Sequence, residues 1–272
     1  MVSGDMGMPI DLVLVRHGQS EGNVAALASQ AGDDSLITDP AFRARHSSHW
    51  RLTDLGIRQA QQAGVWVREH IGDHFDRYYV SAYTRALETA AYLDLPATNW
   101  YIDSRLRERE RGREDLLSAA ERELAEESAR ERVDAPFFWR PLNGENMAEV
   151  CQRVRDFIET LHRETSEGRV IVVCHGELME SFRITLEHLA PDEYAAWVST
   201  ANSLERIRNG HVFHFTRRDP VSGTVSTYAS HWRSVCTTDV SLCDPSWREL
   251  RRSALSNAEL LKLAARQPRL IA

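Results

Sequence analysis

The sequence predicts a three-layer α/β/α fold with a mostly parallel central sheet and one antiparallel edge. Two of its features lead to this prediction. Short apolar runs alternate with longer segments of helical periodicity up to about residue 190, which is typical of successive βαβ units. Several of the apolar runs end abruptly in polar or reactive side chains. Because ligands of open α/β sheets bind outside the carboxyl ends of the strands, we expect the functional residues there.

The predicted strands are short apolar runs bounded by polar or turn-forming residues. They lie at residues 11–16, 78–80, 99–102, 170–174, 203–207 and 212–215, the last two as edge strands. The predicted helices show apolar faces, or alternating charges, at helical spacing. They lie at residues 54–71, 115–133, 143–165, 177–189 and 257–266, with a further helix whose first turn contains Arg85. Thr53 is a favourable N-cap for the helix that follows it.

Other parts of the chain lack this alternation. Residues 1–10 read as a loose leader, and residues 24–51 as a long polar loop that is functional or mobile. Residues 217–272 are polar and rich in turn-forming residues. We therefore expect one domain over residues 11–216, with a C-terminal extension that packs on it or extends from it. The aromatic run at residues 137–139 is interpreted as core rather than as a pocket wall.

Composition excludes several classes of protein. The 272 residues are 42% hydrophobic and 27% charged, which is ordinary for a globular chain. The net charge of -7 argues against a broad nucleic-acid-binding surface. No apolar run approaches the roughly 20 residues of a membrane span, and the first ten residues lack the basic start of a signal peptide. The four cysteines are scattered, without zinc-site spacing. We expect a cytoplasmic protein with no nucleic-acid or membrane partner.

Cationic and titratable side chains follow three of the predicted strands. Arg16 and His17 follow the first strand, Arg85 opens the helix after the second, and His175 ends the strongest apolar run. An arginine in the first turn of a helix opposes the helix dipole, but it is favourable when an anion lies beside it. Each residue alone has an ordinary structural explanation, such as an ion pair or a core histidine.

Together, these groups predict an anion site. Burying several of them at one sheet edge without an anion would be costly. Phosphate, sulfate or a carboxylate cluster fits this requirement. Metal binding is the main rival for His17 and His175, but arginines flank these histidines and no Asp or Cys cluster accompanies them. We therefore expect neither a metal nor another cofactor.

At this point the chain resembles the histidine phosphatase superfamily, in its phosphoglycerate-mutase-like branch. The resemblance rests on six blocks in the family's order that cover about residues 10–215. They are Arg16-His17-Gly18-x-Ser20-x-x-Asn23, Leu52-Thr53-x-x-Gly56-x-x-Gln59-Ala60, Ser81-x-x-x-Arg85-Ala86-x-x-Thr89-Ala90, Leu106-x-Glu108-x-x-x-Gly112, Gly144-Glu145 and Val173-Cys174-His175-Gly176. An Arg-His-Gly triplet alone would be weak, whereas the ordered set is specific.

The resemblance implies a role for each site residue. His17 would be the nucleophile that takes the phosphoryl group, and Glu108 the general acid that protonates the leaving alkoxide. The phosphate-binding set would be Arg16, Gly18, Ser20, Asn23, Arg85, His175 and Gly176. A proton donor is worth about 10²–10⁴ in rate for such a leaving group. We expect Arg107, Arg109 and Arg111 to point outward, and burial and the incoming phosphate to raise the pKa of Glu108.

The family contains phosphatases and mutases, and three hypotheses follow. Mutases of the family carry an aromatic residue before the glycine that follows the acid, whereas here Arg111 precedes Gly112, and Glu114 and Asp115 follow. The run at residues 135–145 is more similar to mutase-like phosphatases of fungi, plants and bacteria. A phosphomonoesterase is therefore favoured over a mutase, and a non-catalytic protein that binds phosphorylated ligands or partner proteins is a third possibility. The expected partner is a small phosphorylated substrate, and any oligomer would be a dimer.

Overall fold

The computed structural model describes residues 7–124, 133–200, 206–252 and 254–271. Within them, one mixed sheet has the strand order β3-β2-β4-β1-β5-β6-β7. The strands are β1 (Asp11–Arg16), β2 (Arg77–Val80), β3 (Trp100–Ile102), β4 (Arg169–Cys174), β5 (His211–Thr216), β6 (His231–Cys236) and β7 (Arg248–Glu249). The four strands predicted before residue 190 are confirmed to within one residue at each end.

The sheet is less parallel than the sequence predicts. β1, β2, β3 and β4 run parallel to one another, but β5, β6 and β7 all pair antiparallel. The antiparallel part is therefore not the single edge that was predicted but three strands, β5, β6 and β7. β5 is an interior strand, because β6 pairs with its outer side. Sequence reasoning missed β6 because polar residues, Arg233 and Ser234, interrupt its apolar pattern.

Alternate residues along the strands separate two helical layers. Leu12 and Leu14 of β1 face one core, whereas Val13 and Val15 face the other. The first core contains the helices Met147–Glu164 and Gly176–Glu187, and the second contains Asp54–His70 and Thr84–Tyr92. Since side chains alternate across a strand, each β1 residue serves one layer only. The predicted three-layer α/β/α arrangement is confirmed.

The described helices follow the predicted ones closely where apolar periodicity is strong. They are α1 (Glu21–Gln30), α2 (Ser35–Thr38), α3 (Pro40–Arg43), α4 (Asp54–His70), α5 (Thr84–Tyr92), α6 (Ala119–Leu124), α7 (Met147–Glu164), α8 (Gly176–Glu187), α9 (Pro191–Thr200) and α10 (Asn257–Ala264). Thr53 caps α4 as predicted, because its side chain accepts the backbone N–H of Gly56. Asn146 caps α7 through a reciprocal hydrogen-bond pair with Glu149.

The prediction of a long loop at residues 24–51 was wrong. This segment contains most of α1, then α2, α3 and a 3₁₀ turn at Ser47–His49. α1 escaped prediction because its buried residues, Gly22, Ala25 and Ser29, are small and give little apolar periodicity, and α2 and α3 span only four residues each. A capping box formed by Ser20 and Asn23 starts α1.

Two further predictions fall partly outside the described residues. The charged helix predicted over residues 115–133 includes residues 125–132, which lie outside them; the described part forms a 3₁₀ turn at Gly112–Leu116 and the short α6. The edge strand predicted over residues 203–207 includes residues 203–205, which also lie outside. Residues 206–207 are described and are not in a strand.

Residues beyond 216 contribute to the sheet. β6 packs Trp232 against Phe213 and Phe215 of β5, and β7 pairs with β6 at the sheet edge. In the aromatic run at residues 137–139, Phe137 and Trp139 are buried and Phe138 is exposed. Among the described helices, none combines the length and apolar character needed to cross a lipid bilayer.

Candidate active site

The predicted functional residues meet at the carboxyl ends of three neighbouring parallel strands. In register, Arg16 of β1 pairs with Cys174 of β4, and Val80 of β2 pairs with Val173 of β4. The residues that follow these strands therefore leave the sheet at the same edge. The His17 N–H continues the ladder by donating to the Cys174 carbonyl at 3.0 Å. His17, Arg85 and His175 are brought into direct contact there.

His17 is held in one tautomer by its neighbours. Its Nδ1 lies 2.7 Å from the carbonyl oxygen of Gly18, which can only accept, so Nδ1 carries the proton. Its Nε2 therefore presents a lone pair and accepts from Arg85 Nε at 3.1 Å. Burial, followed by the charges of Arg85 and Arg16, holds the pKa of His17 well below its usual range. The imidazole is therefore neutral and nucleophilic at Nε2.

The guanidinium groups of Arg85 and Arg16 border His17. Arg85 is 6% exposed, and its Nη1 donates to the Ser47 carbonyl at 2.7 Å. Arg16 Nη1 donates to the Ile207 carbonyl at 2.5 Å, whereas its buried Nε has no hydrogen-bond partner among the described residues. Two cations next to a neutral imidazole leave a net positive locus. Such a locus favours an anion with several oxygens.

His175 is fully buried beside His17. The ring centroids of the two histidines are 5.1 Å apart, and His175 Nε2 lies 2.8 Å from the Ser81 hydroxyl oxygen. Its Nδ1 is buried without a hydrogen-bond partner among the described residues. Burial, then Arg85 and His17, holds the pKa of His175 well below its usual range. His175 therefore adds a second neutral imidazole rather than a third charge.

Glu108 places a carboxyl group close to these cations. Its Oε1 accepts the backbone N–H of Arg109 at 3.0 Å and that of Leu178 at 3.3 Å. The second oxygen, Oε2, is thereby available to carry a proton. Burial and the charge of Glu177 raise the pKa of Glu108, while Arg85 and Arg16 oppose the rise. The predicted direction of this shift is confirmed.

The predicted outward orientation of the arginines around Glu108 was wrong for Arg109, whereas the side chains of Arg107 and Arg111 are 37% and 36% exposed. Arg109 is 5% exposed, and both it and Arg111 donate to the carboxylate of Glu177. Arg107 donates to Glu145 instead. Sequence spacing could not reveal this, because Glu177 lies far along the chain on α8.

The remaining phosphate-binding candidates have different surroundings. Ser20 and Asn23 line the cavity, but they also bond to each other as the capping box of α1. Gly18 approaches the start of α4 closely. A Cβ there would lie 2.1 Å from the carbonyl oxygen of Gly56, so the glycine is needed for close contact with α4. A Cβ on Gly176 would lie 3.4 Å from Arg16 Nε, an ordinary contact distance.

A cavity of about 390 Å³ opens in front of His17. The segment mistaken for a loop supplies its apolar wall, which sequence reasoning missed. That wall consists of Ala25, Ala26, Ile37, Phe42 and Trp50. Glu114 and Asp115 also line the cavity, and burial raises the pKa of Asp115. The only feature of the sequence that indicated this wall was the length of the segment between the motifs at residues 16–23 and 52–60.

The described part of the cavity can hold an anion but does not bring a set of metal ligands together. Among the described residues, there is no group of three or more His, Cys, Asp or Glu side chains placed to bind a metal ion. The cations beside His17 come instead from guanidinium groups. The arrangement therefore suits a nucleophilic attack by nitrogen on a tetrahedral anion.

Comparison of the sequence with known protein families identifies the family of this chain. A sequence model described as the histidine phosphatase superfamily, branch 1, matches residues 12–211. The chain belongs to this superfamily. The resemblance inferred from the motifs is confirmed.

Relatives of this superfamily member bear the names of both mutases and phosphatases. It is 31% identical over 199 residues to a 2,3-bisphosphoglycerate-dependent phosphoglycerate mutase of Cytophaga hutchinsonii, covering 69% of this chain and 82% of the mutase. It is 27% identical over 221 residues to a phosphoglycerate mutase-like protein of Arabidopsis thaliana, covering 74% and 65% of the two chains. A solved structure of mycobacterial glucosyl-3-phosphoglycerate phosphatase with VO3 shares the fold, at a TM-score of 0.61 and 22% identity, over 86% of this chain and 100% of that one.

Proposed function

We propose that this protein hydrolyses a phosphomonoester through a covalent phosphohistidine on His17. The observation that carries the proposal is the state of His17. Its Nδ1–H is bound to the Gly18 carbonyl, and its Nε2 lone pair lies 3.1 Å from Arg85 Nε. An anion held by Arg85 and Arg16 would present its phosphorus to Nε2.

The reaction proceeds in two displacements. In the first, His17 Nε2 attacks phosphorus, the P–O bond to the alcohol breaks, and Glu108 gives its proton to the leaving alkoxide. In the second, Glu108 takes a proton from water, the hydroxide attacks phosphorus, and the P–N bond breaks to restore His17. Arg16 and Arg85 neutralise the equatorial oxygens in both steps, and His175 offers a further hydrogen bond.

The charges in the cavity favour a phosphatase over a mutase. Beyond Arg16 and Arg85, the lining cations are Arg109 and Arg111, and both are already paired with Glu177. Glu114 and Asp115 add negative charge to the same wall. A bisphosphate, or the carboxylate of a phosphoglycerate, would therefore meet no free cation in the described part of the cavity. The substrate class that fits is a small phosphomonoester whose alcohol is apolar on one side and carries no second anion.

Mutase activity is the second candidate, because relatives at 31% identity are named phosphoglycerate mutases. The two candidates differ in a measurable product. Conversion of 3-phosphoglycerate to the 2-isomer, stimulated by a bisphosphate primer, would replace the phosphatase proposal with the mutase.

The direct test is phosphate release from p-nitrophenyl phosphate in the presence of a chelator. We expect turnover by the wild-type protein, inhibition by vanadate, and an acid-labile phosphoenzyme after rapid quenching. His17→Ala should abolish both turnover and the phosphoenzyme. His74→Gln is the matched control, since His74 is exposed. A His17→Ala protein that still traps phosphate, or a wild-type protein inactive across pH 5–8, would refute the proposal.

A further inference from the structure

Glu177 joins two arginines in an ion-pair cluster beside Glu108. Arg111 donates from Nε to Glu177 Oε2 at 3.0 Å and from Nη2 to Oε1 at 2.7 Å. Arg109 Nη1 donates to the same Oε1 at 3.1 Å. The side chain of Arg109 is 4% exposed and that of Glu177 is 19% exposed. One carboxylate therefore engages the guanidinium groups of two residues that follow Glu108 in sequence.

The surroundings fix this cluster in place. Arg109 Nε donates to the Glu145 carbonyl at 2.8 Å, and its Nη2 donates to the Trp139 carbonyl at 2.9 Å. Its guanidinium carbon lies 5.2 Å from the centre of the Trp139 ring. Glu177 lies in the first turn of α8, where the helix dipole favours a carboxylate. The arginines are therefore held by directed hydrogen bonds rather than by loose surface attraction.

The same helical turn also holds Glu108. Leu178, the residue after Glu177, donates its backbone N–H to Glu108 Oε1. We propose that Glu177 is a positioning residue for Glu108: by binding Arg109 and Arg111 it keeps both guanidinium groups away from the Glu108 carboxyl, so that Glu108 retains the proton needed by the leaving alcohol. This inference rests on the proposed phosphatase reaction.

The charges around Glu108 show why this matters. The ionisable groups that interact electrostatically with it come from several elements and are Glu177, Glu180, Arg16, Arg85, Arg111, Tyr83 and Cys174. Burial and Glu177 raise the pKa of Glu108, and Arg85 and Arg16 lower it. Arg111 and Arg109 in turn hold the pKa of Glu177 below its usual range, against the effect of burial. Removing the charge of Glu177 would leave cations dominant around Glu108.

The experiment compares pH profiles of kcat/KM for an alkyl phosphate and for p-nitrophenyl phosphate. Because Glu108 acts as the protonated acid, activity towards the alkyl phosphate falls as the pH rises through its pKa. In Glu177→Gln this alkaline limb should move to lower pH by about one unit. At pH values above the limb, kcat/KM for the alkyl phosphate should therefore be about tenfold lower than in the wild type. The aryl substrate, whose leaving group needs little protonation, should be much less affected.

Arg111→Gln provides the opposing variant. It removes a cation and leaves Glu177 charged, so the alkaline limb should move to higher pH. This variant also tests the proposal if Glu177→Gln does not fold. Glu187→Gln is the matched control, since Glu187 lies on the same helix in an ion pair with Arg183. The alkaline limb of this variant should lie at the same pH as that of the wild type.

A purely structural role for Glu177 predicts a different outcome. Equal losses for both substrates with an unmoved limb would overturn the inference, as would shifts of the same sign in Glu177→Gln and Arg111→Gln. If the wild-type protein hydrolyses neither substrate, the proposed function itself fails. If Glu108→Gln loses alkyl phosphatase activity while Glu177→Gln keeps the wild-type limb, only the inference about Glu177 fails.

Discussion

The backbone around His17 determines which of its nitrogens reacts. The Gly18 carbonyl oxygen accepts a hydrogen bond from Nδ1–H, and Arg85 Nε donates to the Nε2 lone pair. One contact comes from the segment that follows β1 and the other from α5. In the proposed reaction, the nucleophile therefore needs no neighbouring carboxylate to orient it. The same cations would bind the phosphate and keep the imidazole neutral.

The low pKa of His17 predicts activity in mild acid. An unperturbed histidine, with a pKa of about 6.5, would lose roughly tenfold of its neutral form between pH 7.5 and pH 5.5. Burial and the adjacent arginines lower the pKa of His17, so the neutral form persists as the pH falls. We expect kcat/KM to be nearly constant down to pH 5.5 for an aryl phosphate that stays a dianion over this range. A tenfold fall centred near pH 6.5 would contradict it.

At the scale of elements, the segment that follows β1 and the first turn of α4 approach each other through glycines. A Cβ on Gly56 would lie 2.0 Å from the carbonyl oxygen of Gln19, and one on Gly18 would lie 2.1 Å from that of Gly56. These are backbone atoms, so no side-chain movement can relieve the clash. The residue that follows His17 is therefore packed directly against the start of α4.

Gly56→Ala tests this contact, because helix propensity alone predicts the opposite change in the free energy of unfolding. Alanine in a helix is normally about 1 kcal/mol more favourable than glycine. Here we expect a loss of about 1–3 kcal/mol in the free energy of unfolding, as for other overpacked sites, together with reduced phosphatase activity. Gln61→Ala, at an exposed position of α4, is the control. Urea denaturation of both variants checks the prediction, which a stabilised Gly56→Ala protein would contradict.

The elements show what the sequence could and could not reveal. β1 and β4 are continuous apolar runs that end in reactive residues, so their bounds and the site at their ends could be predicted. α1 buries small residues, and β6 contains polar ones, so neither gives a clear periodic signal. Glu177 could not be assigned to Arg109 and Arg111 before the fold placed α8 beside them. Local pattern thus predicted the sheet edge at which the candidate residues meet, whereas the cavity wall depends on tertiary contacts.

Across the whole molecule, several histidines are buried in a neutral state. Besides the two in the active site, His211 of β5 is fully buried, and burial followed by Arg16 and Arg208 lowers its pKa to about 3. Its Nδ1 accepts the backbone N–H of Arg208 at 3.3 Å, so Nε2 donates to the Ser234 hydroxyl at 2.7 Å. His211 thus joins β5 to β6 through a hydrogen bond that requires the neutral ring.

This state makes the stability of the protein depend on pH. The folded-state pKa of His211 lies below the unfolded value of about 6.5, so the unfolded chain binds the extra proton in the window between them. The free energy of unfolding therefore falls as the pH drops below about 6.5, and this loss continues towards pH 3. Buried carboxyl groups with raised pKa, such as Glu180, act in the opposite direction, so only a difference between variants isolates the histidine.

His211→Gln should reduce this acid sensitivity. Glutamine keeps a donor for Ser234 but has no titrating ring. At pH 7 we expect the variant to be less stable than the wild type, because the fully buried ring of His211 is removed. Between pH 7 and pH 5 the wild type should lose about 2 kcal/mol relative to the variant, from the linkage of a single proton. The gap between their free energies of unfolding, measured by urea denaturation at each pH, should therefore narrow on acidification. His74→Gln at the exposed surface serves as the control, and a gap that stays constant from pH 7 to pH 5 would show that His211 is not the group that titrates.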